Sequence, residues 1–338
     1  MIALQVIWFI LLAFLLVGYT TLAGFDLGIG GLQLFARSHA ERGKLFAAIG
    51  PFWDGNEVWL IAVGGALFAA FPPVYATIFS GFYIALMLAL FALIVRAVSI
   101  DFGAKAESET GRAYWSLVVA LGSLLAVLLF GVALGNLLRG LPLDAHGEYA
   151  GTVYTLLNPF ALLLGVLNLA MILGHGALYL AMKTSGELSA RARHWASIAW
   201  GVYLPLALAS INAAAYAYPH LLRNFRTTPA FWLVPAAAIL AIILFGLWNR
   251  RGLLRPAFLA SASAIILLLA SAAIALFPNL IPALGDPARS LTIYNASSSH
   301  LTLKVMFIVA LIGMPLVIGY TVWVYRMFSG EVKEGAHY

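Results

Sequence analysis

The chain has 338 residues, 63% of them apolar and 9% charged, with a formal charge of +6 and no cysteine. Soluble domains carry about 25% charged residues, so a soluble enzyme or a nucleic-acid-binding domain is excluded in favour of a polytopic α-helical membrane protein. The lack of cysteine removes disulfides, thiolate metal sites and a cysteine nucleophile.

Residues 1–17 are apolar, but no basic stretch precedes them and no small-residue cleavage site follows. This first run is therefore read as a retained helix rather than a signal peptide. Crossing a bilayer takes about 20 mainly apolar residues. Cutting the chain at charged and Pro/Gly-rich breaks predicts nine such helices, at approximately 5–35, 51–72, 75–98, 113–138, 153–182, 195–217, 229–248, 255–277 and 302–326. The runs lack the period-2 alternation of a membrane barrel. The expected fold is all-α: one integral membrane domain over 1–338, arranged as two four-helix groups with one peripheral helix. The longest connection is 278–301, which contains NLIPALGDPARS.

Lys and Arg in the loops set orientation. One side of the predicted spans holds Arg37, Arg42, Lys44, Arg96, Lys105, Arg112, Lys183, Arg191, Arg193, Arg250, Arg251, Arg255, Arg326 and Lys333. The other holds Arg139, Arg223, Arg226, Arg289 and Lys304. The richer side is assigned to the cytoplasm, which puts the N-terminus outside and the C-terminus inside. The net positive charge is then a topology signal, not a sign of a nucleic-acid partner.

The second span opens on GPFWDGNEVWLI, residues 50–61. A charge at the centre of a membrane helix costs about 2.5–3.5 kcal/mol on insertion scales, so Asp54, Asn56 and Glu57 need a reason to be there. Pro51 suits the first helical position, where its missing N–H is no loss. Asp54 and Glu57, three residues apart, share a flank. Asp26, in GFDLGIGG of the first span, lies in the cytoplasmic half of the antiparallel neighbour. The glycines around it would let another helix approach closely. Arg96 ends the third span on the same side, with Asp101 just beyond. One reading is a structural cluster that locks these helices together. The other is a proton path, since intramembrane carboxylates often form relays and burial opposed by a nearby Arg suits proton transfer near neutral pH. Asn56 reads as a helix–helix hydrogen bond, Trp53 as an interfacial residue and Trp59 as a packing or cavity-lining group.

Of the seven histidines, His39, His146, His194, His220 and His337 fall in loops or at helix ends, His300 opens the last span, and His175 lies within the fifth. No two share a level inside the membrane, so a bis-histidine haem site is not expected. His175 reads as a hydrogen-bonded interior residue.

GPFWDGNEVWLIAVGGALFAAFPPVYA closely resembles the signature of subunit II of cytochrome bd-type quinol oxidases. GFDLGIG, FSGFY, GVALGNLLRG, LLNPF, SSSHLTLKVM and the final YRMF are similar to that family as well, in order along nearly the whole chain. The short chain resembles the cyanide-insensitive branch. The resemblance implies a terminal oxidase of the bacterial or archaeal cell membrane that oxidises quinol and reduces oxygen to water with cytoplasmic protons. It implies a heterodimeric partner, subunit I, that carries the quinol site, two b-type haems and one d-type haem, with no haem iron ligated by this chain. Small single-helix subunits, lipid and a structural quinone are further partners in the family. The resemblance places Asp26 and Asp54 on a proton route; the reading of the residues adds Arg96 as the group that tunes this pair, Glu57 as an assistant, and Trp53, Asn56 and Asp101 in support. It places Trp59 near an oxygen channel. The chain departs from the pattern at Glu57, which is Glu or Gln among relatives, and in the GH of GHGALYL, where some members have Thr-Gln. The alternative function is a proton- or cation-coupled secondary transporter. Transporters favour broken helices and a midplane site, whereas these acids sit towards one side.

Overall fold

The structure, a computed structural model, describes residues 2–332, apart from the side chain of Ala104. Lys333 and His337 lie outside the described residues. Helix α1 covers Ile2–Leu32 and is followed by a short turn to Phe35, α2 covers His39–Ile49, α3 Trp53–Ala70 and α4 Pro72–Gly81. Then come α5 (Tyr83–Lys105), α6 (Glu109–Arg139), α7 (Val153–Leu156), α8 (Pro159–Lys183) and α9 (Gly186–Ala217). The chain ends with α10 (Arg223–Thr227), α11 (Leu233–Arg250), α12 (Leu254–Leu276), strands β1 (Asn279–Ile281) and β2 (Leu291–Thr292), and α13 (His300–Met327).

Among the described residues, eight helices are long and apolar enough to cross a membrane: α1, α5, α6, α8, α9, α11, α12 and α13. The predicted segment 51–72 forms α3, whose 18 residues fall short of that measure because Asp54, Asn56 and Glu57 lie in its first turns. The predicted span 75–98 is displaced. A break at Phe82 separates the short α4 from α5, which runs on to Lys105. The predicted span 153–182 is likewise cut at Asn158, which caps α8 by accepting a hydrogen bond from the Ala161 N–H ahead of Pro159. Pro there costs no helix bond, because the first N–H groups have no intrahelical partner. Helix α2 was not foreseen: most of its residues are polar or small, and Ser38 caps it through the Glu41 N–H. The connection 278–301 is ordered by the antiparallel β1–β2 pair and by a hydrogen bond from Ser298 N–H to the Ala70 carbonyl.

Helices α1 and α8 form the spine. A Cβ on Gly28 would lie 2.2 Å from the Ile172 carbonyl oxygen, and one on Gly176 would lie 2.6 Å from the Gly28 backbone. The two backbones touch there, which only glycine permits. α3 and α6 pack on α1, α5 packs on α6, α9 and α12 pack on α8, and α11 joins α9 and α12. α13 is peripheral, with Leu303 its buried residue.

The levels along α1 follow from its contacts. Near its N-terminus, Gln5 donates to Ser297 and Trp8 to the Leu303 carbonyl, while Ala70, at the end of α3, bonds Ser298. Near its C-terminus, Asp26 meets Asn56 of α3, and Asn56 meets Tyr325 of α13. So α3 runs antiparallel to α1, and α13 runs parallel to it. The ion pairs Arg37–Glu187 and Arg191–Glu41 join the connections at the Asp26 end, where the basic residues gather.

Candidate functional site

α3 starts one turn after α2 ends. Its first helical residue is Trp53, and Pro51 lies in the intervening turn instead of at the first helical position. From there the helical phase decides which polar group faces which neighbour. Successive residues turn by about 100°, so Asp54 and Asn56 point to nearly opposite sides.

Asn56 faces α1. Its Nδ2 donates to Asp26 Oδ2 at 2.6 Å and to the Leu22 carbonyl at 3.3 Å, while its Oδ1 accepts from the Tyr325 hydroxyl at 3.1 Å. Asp26 is fully buried, and its Oδ1 has no hydrogen-bond partner among the described residues. Glu57 faces α1 and α5 together. Arg96 Nη1 donates to Glu57 Oε1 at 2.9 Å, and the Tyr19 hydroxyl donates to Oε2 at 3.2 Å. The Arg96 side chain is 1% exposed and that of Glu57 20%. Arg96 Nε and Nη2 find no hydrogen-bond partner among the described residues.

Asp54 and Asp101 are exposed on the chain surface. Of the ionisable groups read at this end of the spans, Asp26, Glu57 and Arg96 are gathered inside the chain, and Asp54 and Asp101 are not among them. Arg96, expected to tune an Asp26–Asp54 pair, forms its ion pair with Glu57. The reason is phase: an i, i+3 pair shares a flank only to within about 60°, and here the edge of the packed face falls between the two acids. Asp54 instead heads an exposed stripe with Val58, Ile61, Gly65 and Phe68. Trp53 is buried with its indole N–H unpartnered, and Trp59 is buried against Gly18 and Phe14.

Tyr19 and Tyr325 join the site although sequence reasoning singled out neither. Tyr19 stands seven residues before Asp26, two turns along the same face of α1, a spacing that could have marked it. Tyr325 comes from a helix nearly 270 positions beyond Asn56; it opens the YRMF segment, but nothing in that segment says which side chain it meets.

His175 is buried on α8, with Nε2 against the Thr21 carbonyl at 3.1 Å, Nδ1 against Ser261 Oγ at 2.6 Å, and its ring stacked on Phe258 at 4.5 Å. A nitrogen facing a carbonyl must carry the proton, so neither ring nitrogen is free to ligate a metal. His300 is exposed at the start of α13. Among the described residues no three His, Cys, Asp or Glu side chains are grouped to hold a metal ion. A cavity of about 370 Å³ opens among α1, α6, α8, α9 and α12, lined by Tyr19, Leu27, Phe130, Met171, Ala207 and Leu268 among others. Its polar lining groups include Asn168, Ser210 and Ser271.

Chemically, a carboxyl with one oxygen bonded and the other unengaged can take up and release a proton. A carboxylate held between an arginine and a phenol can pass one on. Among the described residues, no other cluster of buried ionisable groups lies in the spanning helices.

The family model described as cytochrome bd terminal oxidase subunit II matches residues 4–328. Cytochrome bd-I ubiquinol oxidase subunit 2 of Escherichia coli (strain K12) is 39% identical over 363 aligned positions, covering 98% of this chain and 96% of that protein. Cytochrome bd ubiquinol oxidase subunit 2 of Bacillus subtilis (strain 168) is 36% identical, covering 99% and 98%. The fold is similar to a chain in the bd oxidase structure from Geobacillus thermodenitrificans, with a TM-score of 0.78 at 20% identity, over 96% of this chain and 98% of that one. A match of this extent, with the WDGNEVW segment at the centre of the polar cluster, shows that the chain belongs to the cytochrome bd terminal oxidase subunit II family.

Proposed function

We propose that this chain braces the haem-bearing subunit I of a bd-type quinol:oxygen oxidoreductase and provides part of its proton path from the cytoplasm. The observation that carries this reading is the buried group of Asp26, Asn56, Glu57, Arg96 and Tyr19 at the basic end of an otherwise apolar bundle. Ionisable groups are costly in that setting, and neutral amides would serve as well for locking helices together.

Asp54 is the link to the partner. It heads the exposed stripe of α3, whose apolar members need a cover. Subunit I packs on this stripe, which puts Asp54 between the two chains and Trp59 one turn behind the interface, beside an oxygen route. Protons pass from the cytoplasmic face by way of Asp26 and Asp54, with Glu57 and Arg96 setting the local field. In this arrangement α3 is a ninth crossing: it accompanies α1 from the Asp26 level to Ala70, a rise of about 20 Å at 1.5 Å per residue. The N-terminus is then outside and the C-terminus cytoplasmic, and eight helices form two groups of four with α13 at the edge.

The haems are assigned to subunit I, as the family resemblance implies, and the engagement of both His175 ring nitrogens within this chain supports that assignment. The apolar cavity suits the isoprenoid tail of a structural quinone, being within the roughly 300–1,000 Å³ of small-molecule sites. Small single-helix subunits and lipid cover the outer faces of α5 and α13. The transporter alternative would favour a broken helix at the acidic site, and α1 runs unbroken past Asp26 from Ile2 to Leu32.

The test is the Asp54→Asn variant in membranes that also contain subunit I. The amide keeps size and hydrogen bonding but carries no proton. Quinol-driven oxygen uptake per haem should drop strongly while assembly and the haem spectrum persist. Near-normal uptake per haem would remove Asp54 from the proton path, and loss of assembly with normal uptake per assembled complex would make the cluster a structural lock.

A further inference from the structure

α13 is the helix least embedded in this chain, yet its last turns enter the Asp26 site. The Tyr325 hydroxyl donates to Asn56 Oδ1 at 3.1 Å, and the Tyr325 ring lies 4.6 Å from that of Phe52 and edge-on to Phe25 at 6.1 Å. The end of the helix is tied down from α8. The Lys183 ammonium donates to the carbonyl of Phe328, which caps α13, and the Val332 N–H donates to the Lys183 carbonyl at 2.8 Å. Lys183 also sits over the rings of Phe52 and Tyr179, at 5.3 and 5.6 Å.

A carboxamide has nearly the same shape either way round, so its partners decide which end faces a neighbour. Asn56 meets a carboxyl on one side and a phenol on the other. With the Tyr325 hydroxyl donating to Oδ1, the Nδ2 hydrogens are left for Asp26 Oδ2 and the Leu22 carbonyl. Without that hydroxyl, Oδ1 has no partner among the described residues, and only the long contact from Nδ2 to the Leu22 carbonyl, 3.3 Å, still opposes turning the amide oxygen towards Asp26. The state of Asp26 is thus set from a helix that never touches it through a polar atom.

We propose that Tyr325 is a positioning residue for Asp26: it holds Asn56 with its N–H towards the carboxyl, so that proton exchange at Asp26 depends on the docked C-terminal end of α13. This rests on the reading that Asp26 handles protons. Tyr325 donates and stays in place; it takes no part in moving the proton. Lys183 acts one step further out, by fixing the turn that carries Tyr325.

The test uses the complete complex with subunit I, as wild type and as Tyr325→Phe, Lys183→Met and Asp26→Asn. The Asp26 carboxyl C=O band in redox-difference infrared spectra is identified by its loss in Asp26→Asn. In Tyr325→Phe this band should shift, haem content should stay at the wild-type level, and oxygen uptake per haem should fall about two- to tenfold, the factor that one net hydrogen bond carries. Lys183→Met should shift the band in the same sense by less. An unmoved band with unchanged uptake in Tyr325→Phe overturns the positioning role. If Tyr325→Phe fails to assemble, Lys183→Met decides alone: a shifted band supports the role and an unmoved one overturns it. If Asp26→Asn leaves uptake per haem unchanged, the proton-path reading fails instead, while a band shift in Tyr325→Phe still establishes the positioning.

Discussion

The Arg96–Glu57 pair permits a quantitative test of the site. The guanidinium is 1% exposed, it reaches Glu57 Oε1 at 2.9 Å, and its remaining nitrogens have no hydrogen-bond partner among the described residues. Two unit charges about 4 Å apart at an effective dielectric of about 20 attract by roughly 4 kcal/mol. Breaking a buried pair by removing one partner typically costs about 3–5 kcal/mol, because the other charge is left uncompensated. Glu57→Leu should therefore destabilise by about 3 kcal/mol or more. Glu57→Gln keeps an oxygen for Arg96 and should cost about 1 kcal/mol, near the value of one hydrogen bond. The double variant Glu57→Leu with Arg96→Leu removes both charges and should recover most of the loss of the single Glu57→Leu change. The measurement is the half-life of the detergent-solubilised complex at a fixed elevated temperature, since a large membrane assembly unfolds irreversibly. The order of half-lives should be wild type, Gln, double variant, then Leu. A Glu57→Leu complex as long-lived as wild type would show that the pair is not compensating a buried charge. A double variant no better than Glu57→Leu alone would show that the loss came from packing rather than from the orphaned arginine.

Gly28→Ala should lower the yield of assembled complex, since its Cβ would lie 2.2 Å from the Ile172 carbonyl and overpacking costs about 1–3 kcal/mol or more; Gly201→Ala on α9, where a Cβ meets nothing within 4 Å, should be neutral or stabilising, and equal yields for the two would refute the close α1–α8 seam. Asn136→Ala should cost about 1–3 kcal/mol in thermal stability, because Asn136 is fully buried, donates to the Leu156 carbonyl and accepts from Asn158, and its truncation takes both partners away from those groups; an unchanged thermal midpoint would count against it. In the connection between α6 and α7, Asp144 accepts from the N–H groups of Glu148 and His146, which hold its carboxyl below the usual carboxylate range. A folded-state pKa below the unfolded value stabilises above the ordinary value of about 4 and loses that contribution as pH falls through the lowered value. Amide exchange in 144–150, corrected for its intrinsic pH dependence, should therefore quicken on acidification below that point, and Asp144→Asn should remove the pH dependence.

The lettering of the chain alone determined its class and most of its span positions, because crossing a bilayer requires long runs with no unsatisfied backbone, and those runs stand out in a composition that is 63% apolar. It also marked Asp26, Glu57 and Arg96, since a charge inside an apolar run needs a partner wherever the helix ends up. The breaks at Asn158 and Phe82 and the helix α2 were less legible, because a short helix owes its existence to tertiary contacts more than to its own residues. Tertiary structure alone decided which acid faces inward. Asp54 and Glu57 are near neighbours on the helix surface, and only the directions from which α1 and α5 approach α3 put Glu57 against Arg96 and leave Asp54 on the outer stripe. It also decided that Asn56 is held between Asp26 and Tyr325, nearly 270 residues beyond it. Side chains so far apart in the chain meet through the packing of three separate helices, and no periodicity within one helix records where another will lie.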